Sequence, residues 1–149
     1  MKIAILGLAA SLVAFALPAA AQPKVIDLTQ MPCQFLESEG GKDRGFKSAK
    51  ASDCEAINAR TGKQRLAESQ AIELKPGKYV FRVANKNVPY ELGFWLRGAS
   101  VVDRARLPSL SGGGLTTGKT QDYEIELKPG NYVYSCPLNP TPDYTLVVK

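Results

Sequence analysis

Residues 72–81 read IELKPGKYVF and residues 125–134 read IELKPGNYVY. Eight of the ten positions are identical, and Phe81 stands against Tyr134 as a similar ninth. Each copy reads as a strand, a Lys-Pro-Gly turn and a second strand. Pro76 and Pro129 preset φ at the second turn position, and Gly77 and Gly130 supply the positive φ that the third position of a type II turn requires. Beyond each turn the side chains alternate. Tyr79, Phe81 and Val83 share one face in the first copy, and Tyr132, Tyr134 and Cys136 share one face in the second. The aromatic face is the one expected to enter the core, which turns Cys136 inward at the end of its strand.

Working outward, Lys24 to Asp27, Glu91 to Leu96 and Tyr144 to Val148 are further strand candidates bounded by Pro, Gly or Asn. Many short strands imply an all-β sandwich. Between Glu37 and Gln64 the texture changes to a polar, Gly-containing, weakly periodic stretch. It reads as an insertion with a short helix near Ser52 to Asn58, with Ser52 or Asp53 as N-cap. Leu107 to Thr120, with Gly112, Gly113 and Gly114, reads as a loop or a tight crossing. The Lys119-Thr120 pair lacks the glycine spacing of a phosphate-binding loop.

The N-terminus, MKIAILGLAASLVAFALPAAAQ, has one Lys, an apolar run from Ile3 to Leu17 and small residues ending at Ala21. This is the pattern of a secretory signal peptide cleaved after Ala21. The run is short of the roughly 20 residues a spanning helix needs, so no membrane span is expected after cleavage. Residues 22–149 then suit one domain in the periplasm or outside the cell. Losing Lys2 takes the formal charge from +5 to +4, and no nucleic-acid motif accompanies it, so a nucleic-acid partner is not expected. The three cysteines, Cys33, Cys54 and Cys136, follow the leader, and an oxidising compartment favours pairing two of them. Three pairings are open. Cys33 with Cys54 is the simplest, because it closes the loop holding the polar insertion.

The run LKPGKYVFRVANKNVPYELGF (74–94), followed by LKPGNYVYSCPLNPTPDYTLVV (127–148), resembles the cupredoxins, most closely cupredoxin-like domains of bacterial exported proteins. The resemblance covers residues 68–149 and implies a Greek-key sandwich with copper at one end. In that family the ligands are a His after the V-x-N-K strand, a Cys ending the penultimate strand, and a His and usually a Met in the loop beyond. Cys136 matches the thiolate position. Tyr90 stands where the first His is expected, Asn139 or Pro140 occupies the region of the second, and no Met follows Cys136. The chain contains no His at all, and a blue-copper centre needs two imidazoles with its thiolate.

The expectation is therefore a cupredoxin-like sandwich without the type 1 ligand set, non-enzymatic, serving as a binding or accessory module. Its surface would be Tyr90, Trp95, Arg97 and Asn139, and its partner a periplasmic protein or a small ligand. Alternation places Trp95 and Arg97 on the face opposite Phe94 and Leu96, as a partner-binding anchor would require. No cofactor is expected on this reading. The alternative is copper handling, with a soft ion on Cys136, Cys33 and Met31; electron transfer is what the resemblance alone would suggest. A third account of Cys136 is a small buried hydrophobe.

Overall fold

The computed structural model describes residues 22–149; the expected leader and its expected cleavage site after Ala21 fall on residues outside those described. Strands β1 (Lys24–Met31), β2 (Gln34–Phe35), β4 (Gly77–Asn85) and β7 (Thr120–Leu127) form one sheet in the order β2-β1-β4-β7. Strands β3 (Ile72–Leu74), β5 (Leu92–Gly98), β6 (Leu110–Leu115), β8 (Gly130–Ser135) and β9 (Tyr144–Val148) form the other, in the order β3-β9-β8-β5-β6. Two helices, α1 (Ala51–Glu68) and α2 (Val101–Arg106), complete the described residues, with a 3-10 turn at Glu37–Glu39. The sheets face each other across an aromatic core. Phe35 stands edge-on to Phe94, Tyr134 and Tyr144, with ring centroids 5.4 to 6.1 Å apart, and Tyr79, Phe81, Val83, Tyr132, Tyr134 and Cys136 are all buried on the inner faces as the alternation required.

The repeated motif is not a hairpin. β3 and β4 lie in different sheets, and so do β7 and β8, so each Lys-Pro-Gly segment is a corner that carries the chain across the sandwich. Gly77 and Gly130 sit at φ +144° and +157°, far wider than the roughly +80° of a type II turn. A Cβ on Gly130 would also lie 2.7 Å from Leu107 Cδ1. The conserved geometry of the two copies lies in the tyrosine. Tyr79 Oη donates to the Lys75 carbonyl at 2.8 Å and Tyr132 Oη to the Lys128 carbonyl at 2.9 Å. In each copy the phenol four residues on latches the corner shut, in the manner of the tyrosine corners of other sandwiches.

Two further expectations change. β1 runs past Asp27 to Met31, because it pairs in parallel with β4 from Lys24 opposite Tyr79 to Gln30 opposite Asn85. The Gly-rich stretch holds strand β6, antiparallel to β5. Its glycines serve close packing: a Cβ on Gly112 would lie 2.8 Å from the Tyr123 ring.

The insertion carries an 18-residue helix, longer than the one expected at Ser52 to Asn58. Its N-cap is Lys50 and not Ser52 or Asp53; Asp53 instead accepts the N–H groups of Ala49 and Lys50 at 2.8 and 3.1 Å. Few of its apolar residues are buried. α1 is held by polar anchors, above all Arg65, which is 2% exposed. Arg65 donates to Glu39 Oε1 at 2.6 and 2.9 Å, to the Cys33 carbonyl at 2.7 Å and to Asn58 Oδ1 at 2.7 Å. Tyr144 Oη donates to the same Glu39 oxygen at 2.5 Å, and Arg44 reaches Oε2 at 2.7 Å. Burial opposes ionisation of Glu39, yet the hydrogen bonds from Arg65 and Tyr144 and the Arg65 charge hold its carboxyl below the usual glutamate range.

Tyr132→Phe is expected to remove the latch of the second corner and cost about 1 kcal/mol, read as a lower denaturation midpoint with the fold retained by circular dichroism. Glu39 supplies a pH test. Its folded pKa is depressed, so its contribution is complete above about pH 4.5 and is lost as pH falls through the lower folded value. Glu39→Gln should flatten that acid limb of the stability curve and, by leaving Arg65 unpaired, cost about 3 to 5 kcal/mol at neutral pH.

Candidate functional site

Cys136 follows the last residue of β8 and is 1% exposed. Its sulfur accepts the N–H of Asn139 at 3.2 Å and that of Gly93 at 3.4 Å, and its own N–H donates to Thr141 Oγ1 at 3.2 Å. Burial pushes the thiol pKa up, and the backbone N–H groups of Gly93 and Asn139 only partly oppose it. The result is a protonated, enclosed thiol that is a poor nucleophile at neutral pH.

Asn139, which is fully buried, organises this end of the sandwich. Its Oδ1 accepts the Cys33 N–H at 2.8 Å and its Nδ2 donates to the Met31 carbonyl at 2.9 Å. The same Oδ1 lies 3.2 Å from Cys54 Sγ and 3.4 Å from Tyr90 Oη. Tyr90 Oη also lies 3.0 Å from Ser48 Oγ in the loop before α1, and burial raises its pKa, with Ser48 working against that rise. Asn139 thus joins Cys136 and Tyr90 at one end of the sandwich, and it is Asn139, not Pro140, whose side chain enters that end. The Pro140 carbonyl instead accepts from Asn58 of α1.

Cys33 and Cys54 form a disulfide, as expected. It removes Cys33 from the soft-metal set of Cys136, Cys33 and Met31, because its sulfur is bonded to Cys54 and is not available as a thiolate. Met31 enters the site through its backbone carbonyl, and its side chain is buried. Nor do the residues fit type 1 copper. The positions of the two expected imidazoles hold a phenol and an amide, and both are engaged in hydrogen bonds. Among the described residues, no group of three or more His, Cys, Asp or Glu is arranged to hold a metal ion. Gln30 was not foreseen. It is fully buried, donates to the Gly93 carbonyl at 2.7 Å and adjoins the Cys136 sulfur, so a polar side chain from β1 braces the start of β5, whose Gly93 N–H the thiol accepts.

Trp95 and Arg97 form a separate surface on the outer face of β5. The Arg97 guanidinium lies 3.6 Å from the Trp95 ring centroid. It is fixed below that ring by a two-oxygen pairing with Asp143 at 2.7 and 2.8 Å and by a bond to Ser135 Oγ at 3.0 Å. Arg97 is consequently buried although it faces outward, while Trp95 is 36% exposed. A groove of about 490 Å³ runs beside the indole, lined by Gly93, Ser111, Gly112, Gly113, Pro137 and Leu138. Arg97 therefore orients the indole and offers little surface of its own.

No family model matches this chain, and no curated protein matches its sequence. Among solved structures, auracyanin B, a cupredoxin, is similar in structure with a TM-score of 0.53 over 88% of this chain and 93% of that one, at 12% sequence identity. The fold is cupredoxin-like, an all-β sandwich with a helical insertion.

Cys136 is expected to resist a thiol reagent in the native protein and to react once the protein is unfolded without reductant, with one thiol per chain. Asn139→Ala should expose it, raising the native reaction rate by at least about tenfold if loss of the two side-chain bonds opens this end by about 1.4 kcal/mol.

Proposed function

We propose that this protein is an exported, non-catalytic binding module, a cupredoxin-type sandwich in which the end that holds copper in cupredoxins is closed by protein and the outer face of β5 recognises a partner protein. The observation that carries the reading is Trp95. It is a large aromatic side chain kept at the surface on a rigid strand, its ring stacked on a guanidinium that is itself immobilised by Asp143 and Ser135. Aromatic anchors of this kind, with little rotamer freedom left to lose, dominate binding energy at protein interfaces. Leu138 is 43% exposed beside it, and the groove between them would receive an apolar side chain of the partner.

The disulfide supports a periplasmic or extracellular setting, since such bonds persist in oxidising compartments. Among the described residues, no helix is long and apolar enough to cross a membrane. Tyr90 and Asn139 serve this module by closing the cysteine end, and in this reading they do not contact the partner.

A photo-crosslinking residue placed at Leu138 in living cells should give a discrete adduct whose partner mass spectrometry identifies. The purified pair should then bind, and Trp95→Ala should weaken Kd by about thirtyfold or more, the equivalent of a hot spot of about 2 kcal/mol. Absence of an adduct at position 138, or a Kd indifferent to Trp95→Ala, rejects the reading.

A further inference from the structure

The end of the sandwich opposite Cys136 gathers features that the β5 surface does not use. Strand register places them together. Lys24 lies opposite Tyr79, Gly77 opposite Leu127, Gly130 opposite Val148 and Gly98 opposite Tyr132. Both Lys-Pro-Gly corners, the start of β1 and helix α2 therefore share one end. From it protrude Val101 and Val102, 81% and 70% exposed and the most exposed large apolar side chains among the described residues.

Their exposure is built in. Ser100 caps the helix by accepting the Asp103 N–H at 3.0 Å and donates to the Asp103 carboxylate at 2.8 Å. A Cβ on Gly98 would lie 2.3 Å from the Asp103 backbone, so the helix is seated directly on β5. Leu107, just beyond it, packs on Gly130. With its inner side fixed, α2 holds the two valines outward.

Around this tip the exposed charges are mainly cationic: Arg104, Arg106, Lys24, Lys75 and Lys128. Asp103 is turned inward onto Ser100 and Arg106, Glu73 pairs with Lys149, and Glu126 faces Lys78. Among the described residues, Lys24, Lys75, Lys128 and Arg104 make no ion pair. A protruding apolar pair sharing its end of the sandwich with unpaired cations suits a medium that is apolar inside and anionic at its surface, and that needs no preformed pocket. We propose that this end is a peripheral docking surface for an anionic lipid bilayer. Val101 and Val102 enter the boundary between headgroups and acyl chains, and Arg104, Lys24, Lys75 and Lys128 meet the lipid phosphates. The opposite end and the Trp95 face then remain in solution, free to meet a partner.

The test is co-sedimentation of the processed, exported protein with phosphatidylcholine vesicles, with and without phosphatidylglycerol. Partitioning is expected to be at least about tenfold stronger to the anionic vesicles and to fall with added salt. The double variant Val101→Asp with Val102→Asp, and separately Lys75→Glu with Lys128→Glu, should each lose about tenfold in partitioning while melting as the parent does. Trp95 emission should not shift when vesicles are added. Equal binding to neutral vesicles, variants that partition like the parent, a blue shift of Trp95, or binding of an acidic soluble protein with no binding to vesicles would each overturn the proposal. None of these outcomes bears on crosslinking at Leu138.

Discussion

Every bonding group of Cys33 is committed to a partner far from its own turn, one in the loop after β8 and two in α1. Its N–H donates to Asn139 in the loop after β8, its carbonyl accepts from Arg65 of α1, and its sulfur is bonded to Cys54 at the start of that helix. The residue is held at φ +64°, a left-handed conformation that costs an L-amino acid roughly 1 kcal/mol. Such a conformation persists only where the surroundings over-determine it, and here three attachments do so. The turn between β1 and β2, the helical insertion and the loop carrying Asn139 are thereby locked to one another.

That lock explains the chemistry at this end. In a copper-holding sandwich the loop beyond the thiolate presents ligands to an ion. Here the same loop presents an amide whose acceptor and donor are turned to the backbone of Cys33 and Met31. Asn139 suits the role because its side chain carries both a donor and an acceptor, so one residue satisfies a buried N–H and a buried carbonyl that would otherwise each cost about 1 to 3 kcal/mol. Cys136 remains as a buried sulfur accepting two backbone N–H groups, with burial keeping its proton in place.

The helix completes the closure through charge. Arg65 and Glu39 form a buried pair with Tyr144 and Asn58 as further partners. A buried pair contributes little relative to apolar packing, but losing one member strands a charge. Its effect is to give α1 one position on the sandwich, which a mostly polar helix could not obtain from its few buried apolar contacts.

The all-β class, the inward-facing aromatic strands, the buried position of Cys136 and the lack of a blue-copper ligand set were all legible in the chain, because alternation has a period of two and a ligand is a residue type that is either present or not. The pairing of Cys33 with Cys54 was one of three open choices until the fold brought them together. A helix near Ser52 to Asn58 was legible, but not its extension to Glu68, because its seat depends on Arg65 meeting a carboxylate 26 residues away in sequence. Nor could local sequence tell a hairpin from a corner: LKPG fits both, and only the assignment of β3 and β4, and of β7 and β8, to opposite sheets decides it. The same holds for Arg97, outward by alternation yet covered once Trp95 and Asp143 close over it. Patterns set by a residue and its near neighbours survive translation into structure, whereas partners brought from distant parts of the chain exist only after it has folded.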